Sequence, residues 1–129
     1  MTRDAAALAG GQAKTVEGLD ALLCRVGEAR FLLPLGRVER VYPMVLPSRD
    51  AHGGWQVHLR GETLPLLDVR DRWRERAVTP APSQRMVVLH APRREAWWVD
   101  DVEGLQTLTG RADSAVHAGQ VLPVLWGDA

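Results

Sequence analysis

The sequence predicts an all-β fold, built from small barrels with very little helix. Eight or nine short apolar segments follow one another, and turn-forming residues separate them at regular intervals. A chain of 129 residues has the usual size of one domain, which can consist of two lobes. A phrase also occurs twice: residues 61–67 read GETLPLL and residues 119–125 read GQVLPVL. The two copies predict equivalent hairpins, one in each half of the chain, each closing its own small barrel.

The composition of the first 18 residues predicts a flexible tail. Residues 1–18 are rich in Ala and Gly and show no persistent apolar face, so the domain is expected to span residues 19–129. A first strand is expected at residues 21–26 (ALLCRV). Residues 30–44 (RFLLPLGRVERVYPM) favour strands with a turn or bend between them, because the stretch is rich in strand formers and interrupted by proline.

Residues 54–61 (GWQVHLRG) form the clearest predicted strand. Trp55, Val57 and Leu59 alternate with polar residues. This period of two is typical of a strand with one buried face and one solvent-exposed face. The strand that follows the next turn contains Pro65, which has no amide proton and therefore predicts an edge strand or a bulge.

The remaining elements follow in order along the chain. Residues 70–76 (RDRWRER) favour a short solvated helix, and residues 78–84 (VTPAPSQ) have the composition of a linker. A polar loop is expected at residues 109–118. Further strands are expected at residues 85–91, 96–102 and 103–108, and at the second copy of the repeat.

Trp97 and Trp98 are neighbours on one strand, so one of them is expected to face outward as a partner contact, unless loops cover both.

The composition argues against several classes of function. Sixteen basic residues balance sixteen acidic ones, whereas nucleic-acid and anionic-membrane binders need a positive field. Cys24 is the only cysteine, and the four histidines have no metal-ligand spacing. Asp100 and Asp101 are neighbours on a strand and point to opposite faces, which argues against an acid/base pair. We therefore expect no catalysis, no metal and no cofactor.

The sequence contains no apolar run near the roughly 20 residues of a membrane span. The N-terminus lacks the apolar core of a signal peptide. A cytoplasmic protein without membrane insertion is therefore expected.

Three segments together resemble the CheW-like chemotaxis coupling domain. They are residues 29–44 (ARFLLPLGRVERVYPM), residues 54–73 (GWQVHLRGETLPLLDVRDRW), and the pair RMVVLH and AWWVDDVEGLQTL within residues 85–108. Their order and spacing match the family pattern over about residues 21–126. The resemblance implies two intertwined five-stranded β-barrels around one core. It also implies a non-catalytic adaptor that connects methyl-accepting chemoreceptors to the regulatory domain of a CheA-type histidine kinase.

The resemblance implies receptor contacts at four residues. Arg60 matches the arginine of the family's Leu-Arg-Gly turn, the position most tied to receptor coupling. Val38 and Val41 match apolar positions of the groove that receives the tip of the receptor hairpin. Arg40 stands where the family usually has an acidic residue, which reverses the charge at an implied contact.

Kinase contacts and structural positions follow from the same resemblance. Candidate contacts for the kinase regulatory domain lie in and after the first copy of the repeat, at Leu64, Leu66 and Trp73. Asp68, Arg70 and Asp100 match positions that fix the hairpin and the helix rather than touch a partner. Other CheW-like domains, including a second copy of this chain, are further candidate partners.

The chain departs from the family pattern near its C-terminus. The segment after GLQTL is short, the family's C-terminal helix is missing, and Trp126 stands where the first copy of the repeat has Asp68. We therefore expect a trimmed second lobe, closed by a largely buried Trp126. Such a protein would bind receptor and at most one face of the kinase domain.

Alternative functions stay open at this point. One is a CheW-like variant that binds a single partner in a gliding or pilus motility pathway. Another is a small barrel that binds single-stranded nucleic acid through Trp73 and the arginines around it, although nearby acidic residues cancel half their charge. The weakest is a hydrolase that uses Asp68 or Asp100. The leading interpretation is a cytoplasmic adaptor clustered with chemoreceptors at the inner face of the membrane.

Overall fold

The computed structural model describes residues 15–111 and 113–127, which form two β-sheets joined into one all-β body. The helical segments within these residues are two short 3-10 helices, Leu35–Arg37 and Val69–Trp73. The prediction of an all-β fold with very little helix is therefore confirmed. The strands are β1 Thr15–Val26, β2 Ala29–Pro34, β3 Val38–Pro43, β4 Ser48–Arg49, β5 Trp55–Leu59, β6 Glu62–Asp68, β7 Arg85–Leu89, β8 Glu95–Val99, β9 Asp101–Arg111, β10 Ser114–His117 and β11 Gln120–Pro123.

The two sheets define two lobes that are intertwined along the chain. The terminal lobe has the strand order β11-β10-β9-β1-β2 and so combines both ends of the described chain. The middle lobe has the order β3-β7-β8-β6-β5-β4, six strands rather than the expected five because the two-residue β4 extends its edge. The expectation that each half of the chain builds its own barrel is wrong, because β1 pairs with β9 across the whole sequence.

The terminal lobe curls so that its two edges approach each other. A parallel bridge joins Leu32 of β2 to Val124, just after β11. The amide of Leu125 also donates to the carbonyl of Leu32 at 2.9 Å. These bonds satisfy backbone groups that an open sheet would leave exposed at its edges.

The ends of β1 and β9 extend further than the sequence predicts. β1 begins at Thr15, inside the segment 1–18 that was expected to be a tail, and residues 1–14 lie outside the described residues. Thr15 pairs with Arg111 and Val16 with Gly110, so the partner strand orders a stretch that has no apolar pattern of its own. The expectation of a polar loop at residues 109–118 is also wrong, because strands β9 and β10 occupy most of these residues.

Three apolar clusters fill the fold, one between the lobes and one inside each lobe. The interlobe cluster combines side chains of both sheets, namely Leu22, Cys24, Val26, Phe31, Leu33, Val69, Val87, Leu89, Trp97, Val99 and Leu125. The middle-lobe cluster comprises Met44, Val57, Leu64, Leu66, Met86, Val88, Ala96 and Trp98. The terminal-lobe cluster comprises Ala21, Leu23, Leu32, Ala115, Leu122 and Val124. Strands between two clusters are buried on both faces, which explains their continuous apolar runs.

Both tryptophans of β8 are buried, so the prediction that one of them faces outward is wrong. They do point to opposite faces, but Trp97 enters the interlobe cluster and Trp98 the middle-lobe cluster. Each indole N–H has a partner: Trp97 donates to Glu95 at 2.7 Å and Trp98 to Gln84 at 2.9 Å. Apolar layers cover both faces of β8. The alternating direction of side chains along this strand therefore does not predict which side chains are exposed to solvent.

The repeated phrase forms equivalent hairpins, as predicted, one in each lobe. Two-residue turns, Arg60–Gly61 and Ala118–Gly119, connect β5 to β6 and β10 to β11. Their φ angles are 50° and 80° in the first turn and 50° and 79° in the second, as in a type I′ turn. Pro65 does not mark an edge: β6 pairs with β5 up to Pro65 and with β8 from Leu66, so the proline lies where the strand changes partner.

A buried ion cluster joins the two lobes. Arg70 is only 1% exposed, although the sequence predicts a solvated helix there. Its guanidinium donates to Asp68 at 3.0 Å and to Asp100, and the other oxygen of Asp100 accepts from the amide of Gly27 at 2.5 Å. Gly27 lies in the β1–β2 turn of the terminal lobe, so the cluster ties that turn to the middle lobe. The structural role implied for Asp68, Arg70 and Asp100 agrees with these contacts.

Candidate functional site

A cavity of about 240 Å³ lies in the middle lobe between β3 and the β5–β6 hairpin. Its polar lining consists of Glu39, Arg40, Arg60, Glu62 and Arg94, and its apolar lining of Tyr42, Leu59, Leu64 and Val88. Arginines and aromatic residues over an apolar floor are typical of surfaces that bind proteins. This cavity is therefore the candidate functional site.

A β-bulge in β3 decides which of its residues reach the cavity. Val38 pairs with Leu89 and Arg40 with Val88 of β7, so Glu39 is an extra residue on β3. A bulge of this kind re-aims the side chains around it. As a result Glu39 and Arg40 line the cavity, whereas Val38 and Val41 pack against the interlobe cluster.

Arg94 holds one side of the cavity together through two ion pairs. It lies in the loop before β8, and its guanidinium donates to Glu39 at 2.5 and 3.1 Å and to Glu62 at 2.6 and 2.8 Å. These hydrogen bonds lower the pKa of Glu39 and of Glu62 and raise the pKa of Arg94. All three groups therefore stay charged near neutral pH and their charges compensate one another.

Arg40 and Arg60 differ from Arg94 because neither forms an ion pair with any residue that the structure describes. Arg40 lies with its guanidinium 6.0 Å from the ring of Tyr42. Arg60 is exposed at the hairpin turn and has a left-handed backbone with φ 50°. That conformation costs an ordinary side chain about 1–2 kcal/mol, and Asn or Gly is the usual residue there. Ala118 holds the same conformation in the β10–β11 turn, so Arg60 differs from it by its charge and by its place beside the cavity.

The structure brings only part of the predicted site together. Arg40, Arg60 and Leu64 meet at the cavity. Val38 and Val41, which also belong to β3, are half-buried and pack against the interlobe cluster instead.

The residues expected to contact the kinase are less accessible than the sequence suggests. Leu64 and Leu66 are 3% and 6% exposed in the middle-lobe cluster. Trp73 is half-buried, with its ring stacked on Phe31 at 5.3 Å. Their assignment to the kinase stays a prediction.

Sequence reasoning missed the other three charged residues of the cavity, Glu39, Glu62 and Arg94. Arg94 is separated from Glu39 by 55 residues and from Glu62 by 32 residues. The only signal was a charged turn, PRRE, which does not reveal which strands it will meet.

The terminal lobe presents a second, more open cavity beside Trp126. Trp126 is partly buried, packs against the terminal-lobe cluster, and lies 5.5 Å from the guanidinium of Arg37. Leu19, Pro34 and Leu35 line the same cavity. Its lining is mainly apolar and it carries fewer charged groups than the cavity beside Arg60.

The described residues offer no metal site and no reactive thiolate. Among them, no three His, Cys, Asp or Glu side chains converge on a point where they could hold a metal ion. Cys24 lies in the interlobe cluster, and burial raises the pKa of its thiol to about 12, so the reactive thiolate is not formed near neutral pH.

The two type I′ turns provide a matched test of the strain at Arg60. We expect Arg60→Asn to raise the free energy of unfolding by about 0.5–1 kcal/mol, because Asn adopts the left-handed conformation more readily than Arg. Ala118→Asn, at the equivalent position of the β10–β11 turn, should stabilise the fold by a similar amount. Chemical denaturation measures both. An Arg60→Asn variant that is less stable than the wild type would show that Arg60 supports the hairpin.

Comparison with known proteins decides the family. The model of one protein family, the CheW-like domain, matches residues 20–125. The chain belongs to the CheW-like domain family. A search of curated proteins found no match.

The fold agrees with that of a solved CheW protein. The crystal structure of the scaffolding protein TtCheW from Thermoanaerobacter tengcongensis superposes with a TM-score of 0.68 at 14% sequence identity. The superposition covers 83% of this CheW-like chain and 88% of TtCheW.

Family membership places this CheW-like chain among chemotaxis scaffold and adaptor proteins. None of the helical segments in the described residues has the length and hydropathy of a membrane span.

Proposed function

We propose that this protein couples methyl-accepting chemoreceptors to a CheA-type histidine kinase and catalyses no reaction. The observation that carries the proposal is Arg60, which occupies a strained turn position at the rim of a cavity and makes no ion pair with the residues described. The equivalent position of the β10–β11 turn is occupied by Ala118 with the same φ of 50°, so what distinguishes Arg60 is its charge beside the cavity. Family membership supports the same role, since CheW-like domains are chemotaxis scaffolds.

Within this proposal the receptor contacts Arg60 and Arg40 at the cavity. Val38 and Val41 support receptor binding indirectly. Their packing against the interlobe cluster determines the course of β3, which carries Arg40 at the cavity. The kinase regulatory domain binds on the side of Leu66 and Trp73, where these side chains support the surface. Leu64, the third residue predicted for the kinase, lines the cavity beside Arg60 and so lies on the receptor side. A coupler of this kind acts in the cytoplasm, clustered with receptors at the inner face of the membrane.

Replacing Arg60 by alanine tests the receptor contact. We expect the melting temperature to stay nearly unchanged, because Ala118 shows that alanine is accepted in the same turn geometry. Binding to a chemoreceptor cytoplasmic fragment should weaken by about 1–3 kcal/mol, as for an interface anchor. Isothermal titration calorimetry with the fragment and, separately, with the kinase measures the two affinities. If the variant binds the receptor as well as the wild type does, Arg60 is not the anchor.

A scaffold is also expected to be chemically inert. Purified protein should hold less than one equivalent of any transition metal, because the described residues contain no cluster that could hold a metal ion. As a scaffold it should also neither hydrolyse ATP nor cleave single-stranded DNA. Elemental analysis and a phosphate-release assay measure the first two properties, and a nuclease assay the third. A tightly held stoichiometric metal would contradict the proposal.

A further inference from the structure

Within the described residues the chain crosses from one lobe to the other twice. The first crossing is the 3-10 helix Leu35–Arg37, between β2 of the terminal lobe and β3 of the middle lobe. The second is Asp100, between β8 of the middle lobe and β9 of the terminal lobe. Two crossings define an axis about which one lobe can turn relative to the other. Contacts away from this axis are therefore needed to fix the angle between the lobes.

The interlobe cluster holds the lobes together, but it specifies their angle only weakly. Its contribution to stability is proportional to the apolar area removed from water and has no preferred direction. Hydrogen bonds, ion pairs and stacked rings have preferred distances and angles. The directional contacts between the lobes therefore select one orientation from those that the apolar cluster allows.

Three such contacts start from one short segment of the middle lobe, residues 68–75. The first is made by Arg70, whose guanidinium pairs with Asp100 at the second crossing. The other oxygen of Asp100 accepts from the amide of Gly27, in the β1–β2 turn of the terminal lobe, at 2.5 Å. This contact therefore connects the segment both to the crossing and to the neighbouring lobe.

The other two contacts lie away from the crossings. The ring of Trp73 stacks on that of Phe31 in β2, with 5.3 Å between the centroids and 19° between the planes. The carboxylate of Glu75 accepts from the amide of Glu28 at 3.4 Å. It lies so close to the turn that a Cβ on residue 27 would overlap it, and Gly27 has a φ of 58° that also favours glycine.

The segment is itself held in one shape by local hydrogen bonds. The carboxylate of Asp68 accepts from the amide of Arg70 at 3.1 Å at its start. At its end the amides of Arg74 and Glu75 both donate to the carbonyl of Arg70. These bonds fix the positions from which Arg70, Trp73 and Glu75 reach the terminal lobe.

We propose that residues 68–75 act as a clamp that sets the angle between the two lobes. The clamp thereby fixes the separation between the cavity beside Arg60 and the cavity beside Trp126. A scaffold has to hold its partners at defined relative positions, and the clamp gives this chain one defined shape before any partner binds. A buried ion cluster is often no more stabilising than apolar residues of similar volume, but it can specify one arrangement. The inference goes beyond the proposed coupling function and does not depend on which partners bind.

Pulsed electron spin resonance with one nitroxide label on each lobe measures the angle as a distance. The label sites are Leu46→Cys in the middle lobe and Val121→Cys in the terminal lobe, where the native side chains are 87% and 67% exposed. Burial raises the pKa of the Cys24 thiol to about 12, so this residue does not react with the label. The otherwise unchanged chain should give one narrow distance distribution without any partner present.

The first test variant combines Trp73→Leu with Glu75→Ala, which removes the two contacts away from the crossings and leaves the buried charges paired. We expect its distance distribution to broaden and its centre to shift, while circular dichroism stays that of the folded protein. Arg76→Ala changes the exposed residue beside Glu75 and is the matched control, so its distribution should stay narrow. A double variant with an unchanged distribution would overturn the clamp.

The second variant combines Asp68→Asn, Arg70→Met and Asp100→Asn and so removes every charge of the ion cluster. It should be more stable than Arg70→Met alone, because no carboxylate is left without its partner. Its distance distribution should nevertheless be broader than that of the wild type. A narrow distribution here would show that the apolar cluster alone sets the angle, and the inference would be wrong. If this variant does not fold, the Trp73 and Glu75 variant decides the question.

Discussion

Arg70→Met is expected to lower the free energy of unfolding by about 3–5 kcal/mol, the usual cost of removing one partner from a buried ion cluster. The side chain of Arg70 is 1% exposed and those of Asp68 and Asp100 are 15% and 17% exposed. Without the guanidinium, Asp68 would lose its ion pair and Asp100 would keep only Arg25, at 3.9 Å, so the two nearby carboxylates would repel each other. The loss would also loosen the bond from Gly27 to Asp100 that ties the two lobes together.

Urea denaturation of the variant beside a control measures this effect. Arg76→Met changes the same residue type at an exposed position and should alter stability by no more than about 0.5 kcal/mol. Asp100→Asn, which removes one charge but keeps a polar side chain, should lie between the two. A loss below about 1 kcal/mol for Arg70→Met would mean that the cluster does not hold the lobes together.

Trp98→Ala is expected to destabilise the protein by about 3–5 kcal/mol, as for other large aromatic residues removed from a core. Its side chain is 2% exposed in the middle-lobe cluster and its indole donates to Gln84. The ring also lies edge-on to Trp55 at 6.5 Å and 4.9 Å from the guanidinium of Arg70. The change would therefore leave a cavity at the point where the apolar core meets the ion cluster.

Trp126→Ala provides the comparison for this change, because Trp126 is only half-buried. Its loss of stability should be clearly smaller in the same denaturation assay. Equal effects of the two substitutions would contradict the placement of Trp98 in the core and of Trp126 at the surface. Because Trp98 and Arg70 are in contact, their double variant should lose less stability than the sum of the single variants.

Local patterns in the sequence predicted part of the fold and of the site correctly. Alternating apolar residues identified β5, and the repeated Gly-x-x-Leu-Pro phrase identified two hairpins with equivalent turns. Arg60 was expected at an exposed turn and lies there. These features depend on a few neighbouring residues, because strand alternation and type I′ turns are local properties of the backbone.

Two expectations were wrong, and one residue was missed, where distant segments decide the outcome. The helix at residues 70–76 was expected in solvent, but Asp100, 30 residues away, draws Arg70 into the interior. One of the two tryptophans of β8 was expected outside, but a second apolar layer covers that face. Arg94 was not considered, because its partners Glu39 and Glu62 come from strands far away in the sequence.

The sequence by itself determined the all-β class, the paired hairpins, the family resemblance and an exposed Arg60, since each depends on residue types at short spacing. Only the tertiary structure decided that β1 pairs with β9, that Asp68, Arg70 and Asp100 join the lobes, and that Arg40 and Arg60 face one cavity. The bulge at Glu39 separates Arg40 from Val38 and Val41, although all four residues are neighbours in sequence. Burial and charge pairing depend on which surfaces meet after folding, and that information is spread over the whole chain.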